Sequence, residues 1–218
     1  MNLIVLCDFD GTITVEDTAE LVLGNFAKGD WKSYDRRFEN GEITLEECLK
    51  KEFSLVKVST QEIIGALKDI KFRYGFDELA EYCRQNCIPV IIVSAGLDFV
   101  IEHFLNLKGW NHMVETCMAK TTVTPHGIRF RFPRRYDETS ANFKQDFVRK
   151  CKSEARKIVF IGNGTGDCDA AREADFAFAI SGSRLAKLCA ERGMPCRTIT
   201  NFCQVVEVLC KSLDDSPH

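Results

Sequence analysis

Short apolar runs alternate with longer stretches of helical periodicity along most of this chain. The runs Leu3–Cys7, Val90–Val93, Lys157–Ile161 and Phe176–Ile180 are nearly continuous in apolar residues, as expected of strands buried on both faces. Apolar residues at helical spacing predict helices near Leu97–Leu107, Phe143–Cys151, Asp167–Glu173, Ser183–Arg192 and Phe202–Ser212. Strand and helix in alternation mean a parallel sheet with helices on both faces, an α/β fold. Between Asp17 and about Lys71 the strand-like runs stop. Helical periodicity takes over there, with a break at Asn40-Gly41 and helix caps at Thr44 and Ser59. The expected organisation is a core of residues 1–16 and 72–218 with a small helical insertion, 17–71, after the first strand. The stretch Thr116–Pro133, centred on Pro125-His126-Gly127, reads as a β-hairpin on the core, and Arg197–Ile199 as a short strand.

The first strand ends in Asp8-Phe9-Asp10-Gly11-Thr12. Side chains alternate along an extended segment, so Asp8 and Asp10 project together while Phe9 turns away. Ligand sites in open α/β sheets lie at this end of the strands. Two carboxylates so close repel one another, and a bound cation or a shared proton relieves the repulsion. The second strand runs into Ser94-Ala95-Gly96 at the start of a helix, where a hydroxyl and free backbone N–H groups suit a phosphate. Lys144 opens an amphipathic stretch, and the third strand leads into Gly162-Asn163-Gly164-Thr165-Gly166-Asp167. Alone, Lys144 reads as a solvated helix residue and Ser94 as a helix cap. Their order along the chain assembles one site for a phosphate and a cation.

With these motifs the chain resembles the haloacid dehalogenase superfamily of phosphatases. Within it, the branch in view contains phosphoserine phosphatase and the methionine-salvage phosphatase of 2-hydroxy-3-keto-5-methylthiopentenyl-1-phosphate. The resemblance runs from Leu3 to about Val208, and it implies a Rossmann-like core with a helical cap inserted after the first strand. It further implies that Asp8 is the nucleophile, Asp10 the general acid and base, and Lys144 the balancing charge. Thr12 would support the loop, and Ser94 with the amides of Ala95 and Gly96 would hold the phosphoryl group. Asp8, Asp10, Asn163 and Asp167 would surround magnesium. Similar proteins usually carry aspartate where Asn163 stands. The neutral amide oxygen has similar reach, so weaker magnesium binding is expected, with a catalytically weakened phosphate-binding or regulatory protein as the alternative. Asp17 matches a substrate-contacting glutamate of phosphoserine phosphatases; it also suits the first turn of a helix, favoured there by the helix dipole. Arg36, Arg37 and Lys51 could meet a substrate carboxylate or simply be solvated.

Composition narrows the rest. The chain has 218 residues, 45% hydrophobic and 28% charged, ordinary for a globular protein. A net charge of −3 and the lack of long basic runs offer nothing to nucleic acid or an anionic membrane. Arg129, Arg131, Arg134 and Arg135 alternate with Phe130 and Phe132 as a half-buried sheet edge does. The glycines of the Asn163 loop do not follow the GxGxxG spacing of a dinucleotide fingerprint, which ranks a nucleotide-binding module last. Eleven scattered cysteines with no CxxC pair read as reduced thiols, and the seven-residue recurrence of Cys189, Cys196, Cys203 and Cys210 is broken by Pro195 and a strand. No targeting segment or membrane span is evident, so a cytoplasmic location is expected. The expected ligands are magnesium and a small phosphorylated metabolite, with no nucleic-acid or membrane partner.

Overall fold

The computed structural model describes residues 2–154 and 156–214. In chain order its strands are β1 (Leu3–Cys7), β2 (Val90–Ser94), β3 (Glu115–Met118), β4 (Lys120–Thr124), β5 (Gly127–Arg131), β6 (Lys157–Gly162), β7 (Phe176–Ile180) and β8 (Arg197–Ile199). The helices are α1 (Thr18–Phe26), α2 (Lys32–Glu39), α3 (Leu45–Phe53), α4 (Thr60–Ala66), α5 (Phe76–Gln85), α6 (Asp98–Lys108), α7 (Phe143–Ser153), α8 (Cys168–Glu173), α9 (Arg184–Glu191) and α10 (Cys203–Asp214). Six strands form one sheet in the order β3-β2-β1-β6-β7-β8, and every pairing in it is parallel. All five residues of β1 and of β2 are buried, which is why both read as uninterrupted apolar runs.

The strand order places the site. β1 lies between β2 and β6, so connections leave it in opposite directions and a crevice opens at its carboxyl end. The register sets Cys7 beside both Ile92 and Ile161, and the Asp8 N–H donates to the Ile161 carbonyl at 2.9 Å. The residues that follow β1, β2 and β6 therefore meet at one level.

Helices α1 to α4 fill the stretch between β1 and α5. The chain leaves and returns through an antiparallel bridge, Thr14 to Phe72, flanked by the bonds Val15 N–H to Lys71 O and Arg73 N–H to Ile13 O, both 2.8 Å. Thr44 and Ser59 each form a capping box, with Glu47 and Glu62 reaching back to the cap backbone, so both expected helix starts occur. Asn40-Gly41 ends α2, with Gly41 at φ +74°.

Two features differ from the sequence expectation. Only Lys120–Arg131 forms the hairpin; Glu115–Met118 instead extends the main sheet as a parallel edge beside β2. The buried Ala119 lies between the two strands, and the hairpin packs its Phe130 ring 5.3 Å from Phe53 of the helical insertion. Gly127, at φ +121°, lets the turn approach the insertion: a Cβ there would lie 2.4 Å from the Ser54 carbonyl oxygen. Helix α5 buries Phe76, Leu79, Ala80 and Cys83 on one face, but its cap residue is Gly75, which offers no side chain to mark the start.

Candidate active site

Asp8, Asp10, Lys144 and Asp167 are all buried at the carboxyl end of β1. Lys144 Nζ donates to Asp8 Oδ1 and to Asp167 Oδ1, each at 2.7 Å. Its helix is fixed on both sides. Asn142 caps α7 by accepting the Lys144 and Gln145 N–H groups, and its own amide donates to the Gly166 carbonyl at 3.0 Å. Glu46 of α3 accepts the N–H of Phe143, at 2.9 Å, and the guanidinium of Arg135, which ties the insertion to the residue before Lys144. Nothing local in the sequence marks Glu46, because its partners stand about 90 positions away.

Asp167 faces inward from the loop after β6. Its Oδ2 accepts the N–H groups of Asn163 and Gly164, both at 2.9 Å, while Oδ1 is taken by Lys144. Gly162 makes room for it, since a Cβ there would lie 2.6 Å from that Oδ2. The glycines of this loop thus accommodate a carboxylate. Asn163 turns its Oδ1 to the Thr12 hydroxyl at 3.0 Å, and the same hydroxyl lies 3.5 Å from Asp8 Oδ2.

Asp10 is held by two hydroxyls. The Thr18 hydroxyl donates to Oδ1, and that of Ser94 to Oδ2 at 3.3 Å. Ser94 Oγ also accepts the Gly96 N–H at 3.0 Å, and Ala95 and Gly96 line the cavity beside it. Arg73 donates to the carbonyls of Thr12 and Gly11, clamping the loop that carries both aspartates. Thr18 and Arg73 escaped the sequence reading. Arg73 reaches the site because the chain returns alongside Ile13, and Thr18 because α1 begins just beyond the Asp10 loop; neither lies in a recognisable pattern.

The electrostatics follow from burial. Burial is the main cause that raises the Asp8 carboxyl well above its ordinary range, with the Asp167 charge adding to it and Lys144 opposing. Burial and then Asp17 push Asp10 up to about 7. Burial opposes the charge on Lys144, but Asp167 and Asp8 outweigh it and hold the ammonium protonated. Asp17 caps α1 through the Glu20 N–H at 2.9 Å while also lining the cavity, where desolvation raises it to about 6. Arg36, Arg37 and Lys51 do not line the cavity. Arg36 pairs with Asp30, Arg37 with Glu42, and Lys51 lies over the Tyr34 ring.

A cation suits this donor set. Two buried carboxylates flank one ammonium with a third, Asp10, buried nearby, and hard oxygens on Asp8 and Asn163 flank the Thr12 hydroxyl. Among the described residues no three Asp, Glu, His or Cys side chains form a complete metal cage. Magnesium does not need one, since it keeps several waters and uses one or two carboxylates with substrate phosphate.

The profile of haloacid dehalogenase-like hydrolases matches residues 5–172. The chain belongs to that family. Among haloacid dehalogenase-like relatives, the 2-hydroxy-3-keto-5-methylthiopentenyl-1-phosphate phosphatase of Brevibacillus brevis is 29% identical over 214 residues, covering 95% of each chain. That of Bacillus pumilus is 29% identical over 182 residues, 81% of this chain and 78% of the relative. A substrate-bound phosphoserine phosphatase superposes with a TM-score of 0.72 at 18% identity, over 95% of this chain and 98% of the other. A phospho-aspartyl intermediate analogue of phosphoserine phosphatase gives 0.71, also at 18% identity and with the same coverage. The family's α/β fold is therefore shared across the whole sheet and insertion.

Of the cysteines, Cys48 lines the cavity. All eleven are free, and the seven-residue series is spread over α9, the loop before β8, and α10. Among the described residues no helix is long and apolar enough to cross a membrane.

Proposed function

We propose that the chain is a magnesium-dependent phosphatase that hydrolyses a small phosphorylated metabolite, of phosphoserine phosphatase or methionine-salvage type, through an aspartyl-phosphate intermediate. The observation that carries this reading is the Lys144 ammonium between Asp8 and Asp167, with Asp10 two residues from Asp8 and bonded to Ser94. Asp8 attacks phosphorus as its ester bond to the leaving oxygen breaks, and Asp10 gives that oxygen a proton. Asp10 then takes a proton from the water that attacks the aspartyl-phosphate, releasing phosphate and restoring Asp8. A group raised to about 7 is well matched to both transfers. Lys144, the Ser94 hydroxyl and the amides of Ala95 and Gly96 stabilise the phosphoryl oxygens, and Thr12 with Arg73 holds the loop. Asp8, Asp10, Asn163 and Asp167 would hold magnesium, which would supply charge neutralisation when bound.

Residues 17–71 act as a cap over the core of 1–16 and 72–218, and Asp17 contacts the substrate from the cap's first helix. Eleven free thiols accord with a reducing cytoplasm. Asn163 supports a second reading, a phosphate-binding protein with little turnover, because the loop offers magnesium an amide where a carboxylate would bind it more strongly. A screen of phosphorylated metabolites with and without magnesium tests the first reading, including phosphoserine, methionine-salvage esters, phosphoglycolate, phosphocholine and pyridoxal phosphate. Turnover that depends on magnesium and disappears in a folded Asp8→Asn variant is expected. Appreciable turnover by that variant overturns the nucleophile, and binding of beryllofluoride without release of phosphate from any ester favours the second reading.

A further inference from the structure

The cavity above Asp8, about 580 Å³, has an unequal lining. Three basic side chains border it, Arg73, Lys144 and Arg184, and each is engaged: Arg73 with two backbone carbonyls, Lys144 with Asp8 and Asp167, Arg184 with Glu39 at 3.4 Å. On the side of the helical insertion the lining carries Glu20, Asp35 and Glu52, none of which forms an ion pair among the described residues. Glu52 is the telling member. It is only 5% exposed, borders the cavity from α3, and has the Cys48 thiol as its hydrogen-bond partner. The same cavity is lined by Trp31, Phe38, Leu45 and Leu49.

A buried carboxylate without a cation is costly, and its burial is repaid when a ligand brings the missing charge. A carboxylate on the ligand would meet the acids that the insertion turns to the cavity, while the three cations of the lining already have partners. We propose that the leaving group of the substrate carries a protonated amine and no carboxylate, and that Glu52 selects it by ion pairing. This rests on the phosphatase reading for the placement of the phosphoryl end at Asp8, and narrows its substrate away from phosphoserine, which carries a carboxylate, and from the methionine-salvage ester, which carries no amine. Glu52 is a specificity residue that touches the leaving group away from the reacting atoms. Asp35 supports it by adding negative field, and Trp31 and Phe38 exclude water around the pair.

Four esters on nearly one scaffold separate the possibilities: phosphoethanolamine, ethyl phosphate, phosphoglycolate and phosphoserine. With magnesium, kcat/KM for phosphoethanolamine is expected to exceed that for ethyl phosphate by about tenfold, with phosphoserine and phosphoglycolate below ethyl phosphate. In Glu52→Gln the ratio of phosphoethanolamine to ethyl phosphate falls about tenfold, mostly through KM. The ranking by the unsubstituted protein needs no variant, so it decides even where Glu52→Gln does not fold. Calorimetric binding of the same esters to Asp8→Asn reads the preference without turnover. Similar turnover of all four esters, or a preference for phosphoglycolate, overturns the inference and leaves the phosphatase standing. Equal ranking of phosphoethanolamine and ethyl phosphate, with or without Glu52, overturns it too, as expected if Glu52 only donates a hydrogen bond as a neutral acid. The expected binding order with no turnover of any ester removes the phosphatase and keeps the inference.

Discussion

Lys144 Nζ lies 2.7 Å from Asp8 Oδ1, joining two residues 136 positions apart in the chain. The contact exists because α7 is capped against the loop after β6 while β1 is hydrogen-bonded beside β6. One ammonium thereby serves two carboxylates. Remove it, and Asp8 and Asp167 are left buried, adjacent and of like charge.

Lys144→Met is therefore expected to lose stability as well as activity. Breaking a buried pair by removing one partner costs about 3–5 kcal/mol, and loss of a charge facing the phosphoryl group lowers kcat by about 10²–10³. Urea unfolding at pH 7 and at pH 5 checks the cause. The stability deficit should shrink at the lower pH, where the Asp8 carboxyl, raised by burial and no longer opposed by Lys144, takes up a proton; an equal deficit at both would mean that lost packing is responsible.

Asn163→Asp should tighten magnesium binding by about tenfold, since a charged oxygen replaces a neutral one at the proposed magnesium site. The acceptor to the Thr12 hydroxyl is retained. The metal-free variant should be less stable than the parent, because a fourth carboxylate joins Asp8, Asp10 and Asp167, and magnesium should reverse that order. Calorimetric titration and thermal unfolding with and without the metal measure both halves. Unchanged affinity would separate Asn163 from the cation.

Gly96→Ala tests how Asp10 is held. A Cβ at this position would lie 2.1 Å from Asp10 Oδ2 and 3.3 Å from Ser94 Oγ, so the carboxylate must move off the serine. The expected result is a loss of about 10²-fold in kcat, the scale of general acid catalysis. The unfolding midpoint should change little, because the displaced group is a side chain at the cavity wall. Full activity would show that the position of Asp10 against Ser94 is not needed.

The legibility of this chain divides by the range of the interactions. β1, β2, β6 and β7 could be read directly because strands buried on both faces are written as apolar runs, and Thr44 and Ser59 announced their helices through local capping chemistry. The chemistry-bearing side chains at the ends of those strands were legible for the same reason, since alternation alone sends Asp8 and Asp10 to one side. Arg73 and Glu46 were not, because each acts across a gap closed only by tertiary structure; Thr18, eight residues from Asp10, carries no pattern of its own. The edge strand β3 reads as part of the hairpin because its residues are partly exposed, and an exposed edge carries no apolar run to distinguish it from its neighbours.

The acidity of the insertion should be visible in the pH dependence of folding. Burial first, and then Asp35, Asp17 and Glu20, raise Glu52 to about 8, with only the Cys48 hydrogen bond among its near neighbours drawing it down. A carboxyl that is ordinarily half-protonated near 4.5 and is raised on folding binds its proton more tightly in the folded state. Its contribution to stability is complete below about 4.5 and is lost as pH rises through about 8. In chelator, stability should therefore decline between about pH 5 and 8, with Glu52 adding a slope of at most about 1.4 kcal/mol per pH unit. Asp10 and Asp17, raised to about 7 and about 6, steepen the decline in the lower part of that window. Glu52→Gln cannot ionise, so the variant should lose the upper part of the slope and become the more stable protein near pH 8. Chemical denaturation at pH 6, 7 and 8 gives the comparison; parallel curves for the two proteins would mean that Glu52 is ionised in the folded chain across this range, as it is in the unfolded chain.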